Sequence, residues 1–146
     1  MLTYVTDSIL TSDAHCLIAP VNTVGVMGKG LALEFKRAFP DMFRVYKLHC
    51  DNKTLKVGNL MFYKGNDTTR IICLFPTKEH WQNPSQLRYI DTGMQAFVKF
   101  YAEWNITSVA FPKIGCGLGG LDWEHEVHPL IQKYLGSMDL DIRIHL

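Results

Sequence analysis

Two glycine-rich segments constrain this chain more than any other feature: Val21-Asn22-Thr23-Val24-Gly25-Val26-Met27-Gly28-Lys29-Gly30, and Lys113-Ile114-Gly115-Cys116-Gly117-Leu118-Gly119-Gly120. Each follows an apolar, strand-like run and precedes a helix-like stretch. In α/β proteins that junction is where backbone N–H groups and a helix N-terminus hold phosphate. Four glycines between residues 115 and 120 exceed what one turn needs and suggest a backbone wrapped around a ligand, although a purely structural loop has the same composition.

The rest of the chain supports an α/β reading. Short apolar runs at Leu2–Thr6, Cys16–Val21, Leu60–Tyr63, Arg70–Phe75, Ser108–Phe111 and Ile142–Leu146 read as strands. Between them, Leu31, Leu33, Phe35 and Phe39 recur with helical spacing, as do Met94, Phe97, Val98 and Tyr101. Pro40-Asp41 punctuates the first helix and opens another over Met42–Cys50, with Asp41 as its expected cap and Met42, Phe43, Val45, Tyr46 and Leu48 available for burial. Further helices are expected from Gln86 to about Trp104 and from Asp122 to near Gly136. The neighbouring runs around residues 60–75, joined by Lys64–Thr69, predict an antiparallel hairpin inside an otherwise alternating order, hence a mixed sheet with helices on both faces. The terminal strands are expected at or near the sheet edge.

Length and charge bound the function. A chain of 146 residues fits one domain, expected to span residues 1–146. Fifteen Lys and Arg against fourteen Asp and Glu produce a net charge of +1, so no overall field draws the domain onto nucleic acid or an acidic membrane. No apolar run approaches the roughly 20 residues of a bilayer span, and the start lacks the order of a signal peptide, so a cytoplasmic protein with no membrane partner is expected. Cys16, Cys50, Cys73 and Cys116 form no repeated metal-ligand spacing, which disfavours zinc; no metal or cofactor is expected. A nucleophilic Cys116 lacks a nearby His–acid pair.

The loops are neither common phosphate motif. A GxGxxG fingerprint requires glycine where Leu33 stands, and no Gly-Lys-Ser/Thr occurs for a P-loop. Lys29 is positioned either to meet phosphate or to face solvent. Asn22 ends its strand, where a carboxamide can bond a sugar hydroxyl or simply its own turn. His80 and Trp81 either line a substrate mouth or pack beneath the helix after Pro84, with His80 a proton donor or a brace for the turn. His125 and His128 show no acid partner in the sequence and read as structural or solvent-facing.

Three segments together resemble the macrodomains of the DarG type: residues 21–36, Pro76-Thr77-Lys78-Glu79-His80-Trp81, and Pro112–Trp123. The likeness covers essentially the whole chain. It implies a three-layer α/β/α sandwich around a mixed sheet, and ADP-ribose as ligand. Carried over by position, it places Asn22 at the distal ribose, Gly28-Lys29-Gly30-Leu31 as one wall around ribose and diphosphate, and Gly115, Cys116, Gly117, Leu118 and Gly119 as the other. Pro20, Val21, Thr77 and Pro112 complete the strand ends that line the site. Counting back from Asn22 puts Asp7-Ser8-Ile9 on the turn that holds adenine in many macrodomains; Ser8 takes the slot of its aspartate, with Asp7 one residue early.

The resemblance assigns the chemistry to Lys78 and Asn22. Lys78 matches the family's catalytic lysine, and without that match it reads as a solvated surface residue. In protein-directed relatives the lysine works with an aspartate of the second loop, at the position where this chain has Gly119. That departure points to the DNA-directed branch: removal of ADP-ribose from thymidine in single-stranded DNA, with an ADP-ribosyltransferase toxin as a partner. A full DarG antitoxin carries a further C-terminal region, so a stand-alone enzyme or an excised domain is expected. Three other readings stay open: a non-catalytic ADP-ribose-binding module, a hydrolase of modified protein side chains, and a hydrolase of ADP-ribose 1″-phosphate or its O-acetyl ester.

Overall fold

The computed structural model describes residues 1–66 and 68–146; Asp67, in the connector of the expected hairpin, lies outside the described residues. The chain runs β1 (Leu2–Val5), a 3-10 turn (Ile9–Thr11), β2 (Cys16–Val21), α1 (Gly30–Ala38), α2 (Pro40–Asp51), β3 (Met61–Lys64), β4 (Ile71–Pro76), α3 (Leu87–Phe100), β5 (Ser108–Pro112), α4 (His128–Leu135) and β6 (Asp141–His145). The six strands form one sheet in the order β1-β6-β5-β2-β4-β3. Every neighbouring pair is parallel except β3 and β4, the expected hairpin.

A parallel strand covered on both faces is apolar throughout, and β4, with six buried residues, follows that rule. Alternate side chains of β2 serve opposite layers. Cys16 and Ile18 pack with Ile90, Met94 and Phe97 of α3 and Ile131 and Leu135 of α4. Leu17, Ala19 and Val21 pack with Phe35 of α1 and Met42, Tyr46 and Cys50 of α2. This is a mixed-sheet α/β/α sandwich. In α3 the buried stripe includes Gly93, because the Phe75 ring of β4 lies where a side chain would be: a Cβ on Gly93 would sit 2.3 Å from Phe75 Cζ.

Several local expectations shift. Phe39, not Asp41, is the N-cap of α2, and Pro40 fills its first turn. Asp41 makes no cap bond; it pairs instead with Arg44 one turn on. Leu48 is 57% exposed, and Cys50 takes the buried position further along that helix. α3 ends at Phe100 rather than near Trp104, since residues 101–105 turn back through Asn105 at φ 54°, and Trp104 stacks on Phe62 instead. The last helix begins as a π-turn over Trp123–Val127, capped by Asp122 accepting from the His125 N–H.

Candidate functional site

The crevice follows from topology. Adjacent parallel strands β2 and β5 send the chain to opposite faces, β2 into α1 and β5 into α4, so their following loops diverge at the carboxyl end of the sheet. Proline sits at or next to the end of three neighbouring strands, Pro20 in β2, Pro76 in β4 and Pro112 in β5. Proline has no N–H to extend the ladder, which helps the loops part from the sheet.

In the first loop Asn22 is the organiser. Its Nδ2 donates to Val26 O at 2.8 Å, and its Oδ1 accepts from the N–H groups of Val24 at 3.1 Å and Val26 at 3.3 Å. The fully buried Tyr46 of α2 directs its hydroxyl at both Asn22 O and Oδ1, 2.8 Å from each. Burial raises the Tyr46 phenol above its ordinary value, which keeps it a neutral donor. The turn-forming use of Asn22 is therefore realised, buttressed by a tyrosine that the sequence marked only as core. Gly25 and Gly30 take positive φ, at 89° and 55°. α1 starts at Gly30 with no side-chain cap, and exposed Lys29 precedes it.

The second loop turns tightly on itself. Leu121 N donates to Gly115 O at 3.0 Å, and a 3-10 turn over Gly117–Gly119 follows Cys116. Gly115 and Gly117 have φ of 76° and 63°, a conformation few side chains tolerate. Leu118 is 70% exposed yet lies against the first loop: a Cβ on Gly30 would stand 3.1 Å from Leu118 Cδ1. The loops thus meet across the crevice at this point. Cys116 is half-buried, and desolvation is the main cause raising its thiol above the ordinary value, the wrong direction for a nucleophile. Burial likewise pushes the Cys16 thiol up to about 12.

The segment after β4 is bonded to both loops. Buried Thr77 donates its N–H to Val21 O at 2.9 Å, continuing the β2–β4 ladder past Pro76. Half-buried Lys78 follows, and Glu79 ties the turn to the first loop, its carbonyl accepting from both Thr23 N at 3.2 Å and Thr23 Oγ1 at 3.1 Å. The Glu79 carboxylate is held by the Tyr89 hydroxyl at 2.9 Å. On the other side, Ser85 N donates to Gly119 O at 2.9 Å. Lys78 thus stands on a turn stitched to both glycine loops. Neither the Thr23–Glu79 nor the Ser85–Gly119 bond has a sequence signal, since each joins residues far apart in the chain.

Gly119 has a steric cause. A Cβ there would lie 2.4 Å from Ser85 Oγ and 3.0 Å from Ser85 Cβ. The Ser85 hydroxyl is buried and has no hydrogen-bond partner among the described residues. Residue 119 is thus side-chain-free because its neighbour occupies the space.

At the far end of the crevice, Ser8 caps the Ile9–Thr11 turn, its Oγ accepting from Leu10 N at 3.2 Å, and Ile9 is buried. The exposed Asp7 carries its backbone carbonyl 2.9 Å from Nδ1 of His145, the last residue of β6. Nδ1 therefore carries the proton and donates, while Nε2 is buried without a partner among the described residues. His145 went unnoticed in the sequence because it reads as the polar end of a strand.

The expectations for four aromatic side chains resolve. Trp81 does not pack beneath α3: it is 46% exposed and stacks on His80 at 5.2 Å. His80 Nδ1 accepts from Gln82 N at 3.1 Å and so braces the turn. His125 does have an acid partner, Asp122 Oδ2 at 2.9 Å, one turn back on the exposed surface. His128 bonds the Tyr4 hydroxyl at 2.7 Å and stacks on Trp123. Among the described residues no group of three or more His, Cys, Asp or Glu is arranged for a metal ion, and no helix is long and apolar enough to cross a membrane. An open groove of about 760 Å³ between the α1–α2 junction and the β3–β4 hairpin contains none of these site residues.

A mixed sheet between helical layers, with two facing glycine loops at the carboxyl ends of its central strands, defines a nucleotide-binding class of α/β/α sandwich. The chain belongs to the Macro domain family, which residues 18–129 match. It is 41% identical over 147 aligned residues to a DNA ADP-ribosyl glycohydrolase of Mycobacterium tuberculosis, an alignment covering 99% of this chain and 42% of that relative. The chain thus spans about two-fifths of that relative's length. It superposes on the macrodomain of Thermus aquaticus DarG with a TM-score of 0.94 at 38% identity, covering 100% of this chain and 98% of that one. Thermosipho africanus DarTG in complex with ADP-ribose matches with a TM-score of 0.94 at 38% identity, over 99% of this chain and 41% of that one.

Proposed function

We propose that this macrodomain is an ADP-ribosyl glycohydrolase that releases ADP-ribose from a nucleobase, thymidine in single-stranded DNA, with Lys78 performing the chemistry. The observation that carries the reading is the placement of Lys78: it stands on a turn bonded to the first glycine loop through Thr23–Glu79 and to the second through Ser85–Gly119. A diphosphate held between those loops brings its distal ribose to the lysine. The relatives named for DNA ADP-ribosyl glycohydrolase activity, and the structure solved with ADP-ribose, support both ligand and reaction class.

The expected steps follow from charge. Cleaving the bond between the anomeric carbon and the base nitrogen develops oxocarbenium character on the sugar and negative charge on the departing base. A neutral Lys78 amine either attacks the anomeric carbon as the bond to the base breaks, the adduct then being hydrolysed by water that frees the lysine, or steers the sugar for direct attack by water. A Lys78 ammonium stabilises or protonates the departing base while water adds to the sugar. Asn22 retains a second Nδ2 hydrogen beyond the one given to Val26 O, available to a ribose hydroxyl. The uncapped N-terminus of α1 and the backbone of both glycine loops receive the diphosphate. The absence of a side chain at Gly119 supports chemistry carried by the lysine without a second-loop carboxylate, and the Glu79 carboxylate is engaged by Tyr89.

The test is release of ADP-ribose from a thymidine-modified single-stranded oligonucleotide and from an ADP-ribosylated protein by the purified domain. Lys78→Ala is expected to lower turnover on the oligonucleotide by at least about 100-fold, the lower range for loss of a positioned acid–base group, while ADP-ribose still binds. Release from neither substrate by the unaltered protein, with ADP-ribose bound, refutes the enzyme reading. Preferential release from protein refutes the nucleobase assignment. A transferase that installs the modification is the partner this function implies, as in the fused transferase–glycohydrolase of Thermosipho africanus.

A further inference from the structure

We infer that Trp81, backed by His80, is a stacking platform for an unmodified nucleobase next to the modified nucleotide, so that the domain grips the DNA strand as well as the ADP-ribose. The inference rests on the nucleobase reading above and adds to it a second point of contact.

The three tryptophans of the chain have different surroundings. Trp104 stacks on Phe62, with ring centroids 5.3 Å apart, and Trp123 packs against the core and stacks on His128. Trp81 belongs to neither hydrophobic core cluster; its one ring contact among the described residues is His80, at 5.2 Å and 29°. The residue is 46% exposed, three positions beyond Lys78. A large apolar ring left out of the core beside a reacting group is poorly explained by folding, since burial would stabilise it.

The platform is also built rather than loose. His80 Nδ1 accepts from Gln82 N at 3.1 Å, and His80 O accepts from Asn83 N at 3.0 Å, so the residues on either side of Trp81 are closed into a turn. The same segment is anchored to the first glycine loop through Glu79 O. The backbone that carries Trp81 is thereby tied to the turn that carries Lys78.

The surrounding charge selects the occupant. The nearest acidic side chain in sequence, Glu79, is held by the Tyr89 hydroxyl. Exposed Arg88 lies over the Tyr89 ring at 5.1 Å, with Nη2 3.4 Å from that hydroxyl, and Lys78 is a second basic residue of the same segment. An exposed aromatic face on a segment that also carries Lys78 and Arg88 suits a base and its phosphate, the combination used for single strands without sequence preference. The neighbours Gln82, Asn83 and Pro84 are exposed and form no apolar recess for a peptide side chain.

The experiment measures binding, with Lys78→Ala as background so that substrate persists. Thymidine-modified oligonucleotides are compared with intact bases or with an abasic residue immediately 5′ or 3′ of the modified nucleotide. Removing one flanking base is expected to weaken binding about 5- to 150-fold, the range of a single base–aromatic stack. With Trp81→Ala added, the intact and abasic oligonucleotides bind equally; with Trp81→Phe, a discrimination of intermediate size returns. Equal loss on base removal with and without Trp81 overturns the inference, as does an equal effect of Trp81→Ala on an ADP-ribosylated peptide. The glycohydrolase reading fails separately, if protein with native Lys78 releases no ADP-ribose from the intact oligonucleotide; the binding comparison still decides the platform.

Discussion

Gly119 can be tested without touching the ligand. Replacing it with alanine adds one methyl whose carbon falls 2.4 Å from Ser85 Oγ and 3.0 Å from Ser85 Cβ. Rotating the serine moves the hydroxyl but not Cβ, so the second contact persists. Overpacking of this kind costs about 1–3 kcal/mol. The residue has no left-handed φ, so alanine meets no backbone strain there and recovers about 0.4–1 kcal/mol from a less flexible unfolded chain. The net loss is about 0–2.6 kcal/mol, a fall in Tm of up to about 10 °C for a chain of this size. Ser85→Gly removes both colliding atoms, so in that background Gly119→Ala should cost almost nothing. The double-mutant cycle, read by thermal or urea unfolding, is expected to give a coupling energy of about 1 kcal/mol or more in favour of the double variant. Ser85→Ala also removes an unsatisfied buried hydroxyl and should leave Tm unchanged or raised. Additivity within about 0.4 kcal/mol would show that the two side chains do not compete for one space.

Tyr46→Phe deprives Asn22 O and Oδ1 of a buried donor and should cost about 1–3 kcal/mol; ADP-ribose affinity by calorimetry should fall with it, and unchanged stability and affinity would contradict the buttress. Gly93→Ala drives a methyl into the Phe75 ring and should destabilise by at least about 1–3 kcal/mol, with Phe75→Leu restoring part of the loss; a neutral Gly93→Ala in urea unfolding would contradict the packing. The His125–Asp122 pair predicts a pH dependence. Its hydrogen bond raises His125 above 6.5, so that contribution is present below 6.5 and fades as pH rises through the raised value. The same bond lowers Asp122 below 3.8, so its contribution is present above 3.8 and fades as pH falls through the lowered value. Both groups are exposed and the effect is small; the stability difference between native protein and His125→Ala should shrink between about pH 5.5 and pH 9, and a difference that grows would reverse the assignment.

The strands and the glycine loops were legible because their signals are local. Apolar runs of four to six residues, glycines at strand exits and helical spacing at Phe35, Met94 and Phe97 all act within a few residues of one another. What joins the site was not legible. Tyr46 meets Asn22 across 24 positions, and Thr23 meets Glu79 across 56. A tyrosine among apolar helix positions looks the same whether its hydroxyl is idle or organises a loop. Gly119 illustrates the same limit: the sequence displays a missing side chain, and only the fold shows Ser85 in its place. Trp81 follows no rule of composition either, since aromatic residues are ordinarily well buried.

The position of β1 at the sheet edge, with β6 as its only strand neighbour among the described residues, has a consequence for how the domain is made. Leu2 pairs with Ile142 and Val5 with His145, so the first strand has nothing to dock on until the last has been synthesised. Pairings of such long separation form late because a large loop must close first. By the same reasoning β2, β4 and β5, with their two glycine loops, are expected to pair before β1 docks on β6. The Asp7–His145 contact therefore forms after β2, β4 and β5 have paired, so the two glycine loops are expected to be in place before the end of the crevice bounded by Asp7 and Ser8.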